Sequence, residues 1–172
     1  MENRVKFYWL VFIFVLPVVI GSLLYYFHRA VPLSTVNHGA LINPPVFVET
    51  TWATPKKWNI VYIPDVCGNR PCEKIAFTLR QLRTLLGKEA DRVVLTVIVD
   101  NEAQTVKIPN VRTVVLTQAQ YAALQKSLNQ TVRNKIFLLD PIGNWFMSYP
   151  SDTDPMGILA DLKRVLEVSQ IG

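Results

Sequence analysis

The stretch that decides the fold of this chain is WNIVYIPDVCGNRPC, residues 58–72. It opens with a run rich in aromatic and β-branched residues, 58–63, which is typical of a buried strand, and Pro64 ends that strand. Two cysteines follow, Cys67 in a loop and Cys72 five residues later. Cys72 falls in the predicted first turn of a helix, where unpaired backbone N–H groups and the helix dipole favour a thiolate.

The sequence after Cys72 predicts an alternation of helices and strands. Apolar residues recur at helical spacing from Ile75 to Leu86, and Val93 to Asp100 is nearly continuous in Val, Leu and Ile, as in a strand covered on both faces. Strand, helix and strand in this order predict parallel pairing. Further patterns predict a strand, a helix, a hairpin and a last helix at residues 111–116, 117–128, 135–149 and 154–166. The predicted fold class is therefore α/β, with the element order of a thioredoxin-like domain.

The chain begins with a segment suited to a membrane. Residues 7–27 contain no charged side chain, and 21 residues at about 1.5 Å each span roughly 30 Å of hydrocarbon. We expect a transmembrane anchor rather than a cleaved signal peptide, because the sequence after Phe27 lacks a small-residue cleavage site. Arg4 and Lys6 precede the span and only Arg29 follows it closely, which predicts a cytoplasmic amino terminus and a periplasmic domain at the inner membrane.

These patterns divide the chain into three predicted segments. They are an amino-terminal tail and anchor at 1–29, a proline-containing tether at 30–55, and a folded thioredoxin-like domain at 56–172. Short edge strands are predicted within the tether at 40–42 and 46–49. We expect His28 to lie at the membrane edge and His38 to be a solvated side chain in the tether.

Composition excludes several classes of protein. Half of the residues are hydrophobic, which excludes a disordered chain. The net charge is +5, but three of the 18 basic residues and one of the 13 acidic residues precede residue 30, which leaves 15 against 12. That balance predicts no nucleic-acid partner. The sequence also lacks zinc-finger spacing, a Ser/His/Asp set and a phosphate-binding loop, so we expect neither a hydrolase nor a kinase.

The two cysteines are the candidate site residues. In an oxidising compartment Cys67 and Cys72 can close a disulfide, attack a mixed disulfide, or together hold one soft metal ion such as Cu(I). A static structural bridge, or a pair of unreactive thiols, is the competing interpretation. Their spacing alone leaves these alternatives open.

Four stretches of the chain resemble the membrane-anchored Sco/SenC family of thioredoxin-like cytochrome c oxidase assembly factors, including small membrane proteins of proteobacteria. They are WNIVYIPDVCGNRPC (58–72), LRQLRTLLGKEADRV (79–93), IFLLDPIGNWFMSYP (136–150) and DLKRVLEVSQIG (161–172). The resemblance implies a role in oxidase maturation, either passing copper toward the dinuclear centre or keeping the receiving cysteines reduced. The implied partners are the lipid bilayer and an oxidase subunit or other assembly factors. The alternative is a non-catalytic scaffold that binds oxidase or biogenesis subunits through the thioredoxin-like fold, for which a surface substitution at Arg80 or Arg83 should be more harmful than loss of both thiols.

The sequence departs from the Sco pattern in ways that limit which metal sites and which redox activity the two cysteines can provide. Sco proteins carry C-x-x-x-C and a downstream histidine that complete a metal site, whereas four residues separate Cys67 from Cys72 and no histidine follows His38. A second alignment places Cys67 at the second Sco cysteine and Ile63 at the first. Because Cu(I) accepts two soft ligands, we predict at most a two-thiolate Cu(I) site. The segment before Lys135 also lacks the proline that thioredoxins hold in cis, which argues against a general disulfide oxidoreductase.

Overall fold

The computed structural model describes residues 2–28, 36–48, 52–67, 70–102 and 108–171, and the chain divides into two units, Met1–Val36 and Asn37–Gly172. The first unit contains helix α1 (Glu2–His28), which continues through Pro17. Within Lys6–Phe27, a window of 18 residues has a mean hydropathy of 2.5. This helix is long and apolar enough to cross a membrane.

The second unit alternates strands and helices, as the sequence predicts. In chain order its elements are β1 (Ala40–Phe47), β2 (Trp58–Ile63), α2 (Arg70–Thr84), a 3₁₀ helix (Gly87–Arg92), β3 (Val93–Val99), β4 (Val111–Val115), α3 (Gln118–Leu128), β5 (Lys135–Leu139), β6 (Asn144–Pro150) and α4 (Pro155–Val168). Two predicted helix starts are confirmed. Thr117 and Gln120 form a reciprocal capping box at α3, and Asp154 caps α4 with Pro155 as its first residue.

The six strands form one mixed sheet in the order β1-β6-β5-β2-β3-β4. Strands β2, β3 and β4 are parallel, which confirms the predicted pairing of β2 with β3. Strand β5 runs antiparallel to β2 and forms the predicted hairpin with β6. The Asp140 side chain accepts hydrogen bonds from the backbone N–H groups of Ile142, Gly143 and Asn144, which fixes the hairpin turn.

Helices cover both faces of the sheet. Helices α2 and α4 pack on one face, where Leu79 and Ile158 contribute to a core built around β2 and β3. Helix α3 packs on the other face, where Tyr121 and Leu124 join Trp145 of β6. This arrangement is a thioredoxin-like α/β fold, and the predicted fold class is confirmed.

The region predicted to be a tether is corrected by the structure. The second unit begins at Asn37 rather than near residue 56, because β1 pairs antiparallel with β6 as an edge strand of the sheet. The pairing occurs at Ala40 and Leu41 and again at Val46 and Phe47, with a register shift between them. The two predicted short strands are therefore the paired ends of one strand; Glu49 lies outside the described residues. A proline-rich edge strand lacks the alternation that marks a central strand, so its sequence resembles a linker.

The side chain of His38 is exposed, as expected, but the residue belongs to the folded unit and not to a tether. Its backbone N–H donates to Asp161 Oδ2 at 2.7 Å, and its Nδ1 lies 3.3 Å from Asp161 Oδ1. The ring packs against Gly157, where a Cβ would lie 3.0 Å from His38 Cβ and Cγ. His38 is therefore half-exposed but held by α4, because a carboxylate buried 123 residues later in the chain accepts its backbone N–H.

Candidate functional site

Cys67 and Cys72 are joined by a disulfide at the junction between β2 and α2, with their Cα atoms 5.3 Å apart. Cys67 follows the end of β2, and Pro64, buried in the same segment, ends that strand. Cys72 is the third residue of α2, in the first helical turn as predicted. The structure brings the two candidate residues together, while their redox or metal-binding role stays a prediction.

Both cysteines are buried. Cys67 is 4% exposed and Cys72 1% exposed, within the core that α2 and α4 form with the sheet. A groove of about 390 Å³ lies beside Cys72, lined by Pro71 and Ile75 of α2, Ile136 of β5, and Asp152 and Pro155 before and at the start of α4. The two cysteines are not among the residues that line this groove.

An arginine that sequence reasoning missed lies at the same end of the sheet. Arg133 Nη1 donates to the backbone oxygen of Asp65 at 3.2 Å, and Arg133 Nη2 donates to Asp100 Oδ2 at 3.1 Å. The guanidinium carbon of Arg133 lies 4.6 Å from the centre of the Tyr121 ring. Arg133 thus connects the cysteine-bearing segment, the end of β3 and helix α3.

Tyr121 is the buried partner in this cluster. Its side chain is 4% exposed, and burial raises the pKa of Tyr121 to about 12, with the Arg133 charge lowering it and the Asp100 charge raising it. The phenol therefore stays neutral at physiological pH, and its ring face is available to the cation. Tyr121 is a structural support for Arg133 rather than an acid or base.

A sequence signal for this cluster existed. Asp65 and Asp100 each come shortly after a strand of hydrophobic residues, and β2 and β3 are parallel. Carboxyl ends of parallel strands meet at one edge of a sheet, so these two residues were candidates for the same neighbourhood. The partner, Arg133, could not be chosen in the same way, because nothing local distinguishes it from the other arginines.

In the part of the chain that the structure describes, no third metal ligand accompanies the cysteines. Among the residues that the structure describes, no group of three or more His, Cys, Asp and Glu side chains could hold a metal ion. His38 is held by Asp161, and His28 lies at the end of α1, with its side chain outside the described parts. Ile63, the alternative Sco position, is fully buried in β2. The donor set fits Cu(I) with two thiolates after reduction of the disulfide, and it does not fit an imidazole-containing Cu(II) site.

Two arginines, Arg83 on α2 and Arg92 at the end of the following 3₁₀ helix, have structural roles. Arg83 Nε donates to the backbone oxygens of Ala90 and Val93, and Arg92 donates to Leu166, Ser169 and Ile171 backbone oxygens. Arg83, which the scaffold alternative treats as a surface position, is instead held by these backbone contacts. These two arginines tie the 3₁₀ helix to β3 and to the carboxyl-terminal segment.

A family model described as transmembrane-like, thioredoxin-like, C-terminal domain matches residues 58–169. The chain belongs to this family. The family description and helix α1 together support a single membrane anchor. No curated protein matches the sequence significantly.

Solved structures of similar fold include Sco proteins. Apo Sco1 from Thermus thermophilus superposes with a TM-score of 0.58 at 13% identity, covering 78% of this chain and 99% of that one. Arabidopsis thaliana ScoI, solved with copper bound, gives 0.53 at 15% identity, covering 67% and 87%. A yeast mitochondrial 1-Cys peroxiredoxin gives 0.50 at 16% identity, covering 66% and 65%. The predicted likeness to Sco/SenC proteins is confirmed for the fold, and the proteobacterial origin stays a prediction.

Proposed function

We propose that this protein is a membrane-anchored factor that assists the assembly of cytochrome c oxidase through Cys67 and Cys72, by handling Cu(I) or by thiol–disulfide exchange. The disulfide at the junction of β2 and α2 carries this proposal. The fold is shared with Sco proteins, one of which was solved with copper bound. In this proposal α1 anchors the protein in the inner membrane, and Arg4 and Lys6 before the span favour a cytoplasmic amino terminus and a periplasmic domain.

The exchange reaction needs only the two sulfur atoms and a partner dithiol. A partner thiolate attacks Cys67 Sγ, a partner–Cys67 disulfide forms, and the bond to Cys72 breaks with its electron pair leaving on Cys72. The start of α2 favours the Cys72 thiolate as the leaving group. The second partner thiolate then attacks the partner's sulfur in the mixed disulfide and Cys67 leaves as a thiolate, so that the partner is oxidised and the Cys67/Cys72 pair is reduced and takes up two protons. The same steps in reverse, started by the reduced pair, reduce a partner disulfide, which is the direction that would keep receiving cysteines reduced.

The reduced pair is also suited to Cu(I) as cargo. Soft thiolates select Cu(I), and two thiolates as close together as those of a reduced disulfide can bind a two-coordinate ion. The absence of a third ligand from the described residues suits transient holding better than storage. Copper would then pass to a receiving site that offers more ligands.

A Cu(I) titration tests this proposal. The reduced full-length chain in detergent should bind about one equivalent of Cu(I) under anaerobic conditions, and C67S and C72S should each lose that binding. Val66→Ala is the matched control, because Val66 is the exposed neighbour of Cys67 and carries no ligand atom. Circular dichroism checks that the serine variants retain the fold. Binding that survives in either serine variant would exclude the two-thiolate site.

A scaffold without sulfur chemistry is the second candidate, and the burial of both cysteines favours it. In that case the disulfide is a structural bridge and the groove beside Cys72 binds another subunit. The double variant C67S/C72S separates the two functions in cells. Normal oxidase levels in that variant would exclude a chemical role, whereas loss of oxidase in a folded double variant would exclude a scaffold that needs no thiols.

A further inference from the structure

We propose that Arg133 is a positioning residue that holds the cysteine-bearing segment, residues 64–67, against the sheet, so that Cys67 and Cys72 stay apposed when their disulfide is reduced. The inference rests on the proposed function, because it concerns the same pair of thiols. This role of Arg133 is additional to the thioredoxin-like fold and to the spacing of the two cysteines.

The sheet topology brings the participants together. In the antiparallel pairing of β5 with β2, Lys135 lies opposite Ile63, so the residues before β5 and the residues after β2 share one end of the sheet. Strand β3 runs parallel to β2 and ends at Val99, immediately before Asp100. Arg133 therefore stands between two segments that leave adjacent strands.

The contacts of Arg133 are directed at the segment's backbone rather than at a side chain. Its Nη1 donates to the Asp65 carbonyl oxygen, while Nη2 donates to the Asp100 carboxylate. The face of the guanidinium group lies over the Tyr121 ring. A planar fork with fixed donors can make these contacts at once, whereas a lysine ammonium has no matching geometry. Asp100 and Tyr121 orient the fork, and the fork holds Asp65.

Restraint at Asp65 reaches Cys67. The two residues are separated by one residue, so at most about 7 Å of extended chain joins them. The side chains of Asp65 and Val66 are exposed and bury little surface. In the reduced protein, the hydrogen bond from Arg133 to the middle of this segment therefore limits how far Cys67 can move from Cys72.

Apposed thiols close a disulfide more readily than mobile ones. Holding two reacting groups in place raises their effective concentration, because the ordering of the chain has already been achieved before the bond forms. Loss of the Arg133 fork should therefore lower the equilibrium constant for disulfide formation. The change should be local, so the remainder of the domain should keep its structure.

The test is the thiol–disulfide equilibrium of the full-length chain in detergent, measured in glutathione or dithiothreitol buffers. Arg133→Gln should lower the equilibrium constant for the Cys67–Cys72 disulfide about tenfold, which corresponds to about 30 mV, and Arg133→Lys about threefold. Arg112→Gln is the charge-matched control, because Arg112 is exposed on β4 and donates to Thr54 Oγ1. Leu128→Ala in α3 controls for general loss of stability. Equal constants for R133Q and R112Q would overturn the inference, as would a tenfold drop in L128A.

Hydrogen exchange in a C67S/C72S background gives a second, disulfide-independent measurement. There R133Q should accelerate exchange of the backbone amides at 65–67 at least fivefold, and unchanged exchange would overturn the inference. If R133Q does not fold, R133K carries both tests, with the threefold drop in the equilibrium constant as the expected result and a constant equal to that of R112Q as the result that overturns the inference. A failed Cu(I) titration together with a shifted disulfide equilibrium in R133Q would remove the proposed function and leave the role of Arg133 standing.

Discussion

Asp161 is a buried carboxylate that links the start of the second unit to helix α4. It accepts hydrogen bonds from the backbone N–H groups of His38 and Gly39 at 2.7 and 3.1 Å, and from the Tyr149 hydroxyl at 3.0 Å. Burial by itself raises the pKa of Asp161, but the hydrogen bonds from Gly39, His38 and Tyr149 outweigh it and leave that pKa below its usual range. Asp161 therefore stabilises the fold in its charged form.

Replacement of this carboxylate should be costly. Asp161→Asn keeps the size of the side chain but replaces the charged oxygen that accepts all three hydrogen bonds by a neutral amide oxygen, so we expect a loss of about 2 kcal/mol in the free energy of unfolding at pH 7. Urea unfolding followed by tryptophan fluorescence measures the change. The exposed Asp152→Asn is the matched control, with an expected change within about 0.5 kcal/mol. Equal stability of the two variants would show that the Asp161 network contributes nothing.

The same residue predicts a pH dependence. Because the pKa of Asp161 is lower in the folded protein than in the unfolded chain, its contribution is complete above the unfolded pKa of about 3.9 and is lost as the pH falls through the folded pKa. The stability difference between wild type and D161N should therefore shrink below about pH 4. Unfolding curves between pH 2 and 7 measure it, and a difference that stays constant to pH 2 would contradict this assignment.

At the scale of elements, β1 is the strand that turns an expected tether into part of the domain. It covers the β6 edge of the sheet, and Trp52, which follows it, packs edge-to-face on Trp145 with ring centres 6.1 Å apart. Gly39, just before β1, is packed so closely that a Cβ there would lie 2.5 Å from the Tyr149 ring. Strand β1 thus completes the core rather than connecting it to the membrane.

A truncation tests the place of β1. A chain that begins at residue 56 should be markedly less stable than one that begins at residue 37, because it loses the pairing with β6 and leaves Asp161 without its backbone donors. The expected loss is at least 3 kcal/mol, since removing one partner of a buried charge is itself strongly destabilising. Chemical denaturation of the two chains gives the difference. Similar midpoints would mean that residues 37–55 are the tether that their sequence suggests.

The charges that flank the membrane span predict the orientation of the chain. We predict that the domain lies outside the cytoplasm, because Arg4 and Lys6 precede the span. In spheroplasts, external protease should digest residues 37–172 after partial unfolding, while a tag at the amino terminus stays protected until the membrane is permeabilised. Replacement of Arg4 and Lys6 by glutamine should weaken this bias. A protected domain and a digested tag would establish the opposite orientation.

The sequence predicted most of the central elements and the approach of the two cysteines. Aromatic and β-branched residues identified β2, a nearly continuous Val, Leu and Ile run identified β3, and the capping residues Thr117 and Asp154 identified the starts of α3 and α4. It predicted the two ends of β1 as short strands but assigned them to a tether, because Pro44 and Pro45 are typical of a linker, and it did not predict the contacts of Arg133 with Asp65 and Asp100. These depend on residues far apart in the chain, and local patterns contain no information about such pairs.

The sequence by itself determined the α/β class, the apolar amino-terminal helix and the helical position of Cys72, because periodicity, chain length and capping act over a few neighbouring residues. Only the tertiary structure decided that His38 belongs to the domain, that Arg83 and Arg92 are structural, and that Arg133 lies beside the cysteine-bearing segment. Each of these results depends on which strands are neighbours and in which register. Sheet order is set by packing of the whole core, which no single stretch of residues specifies.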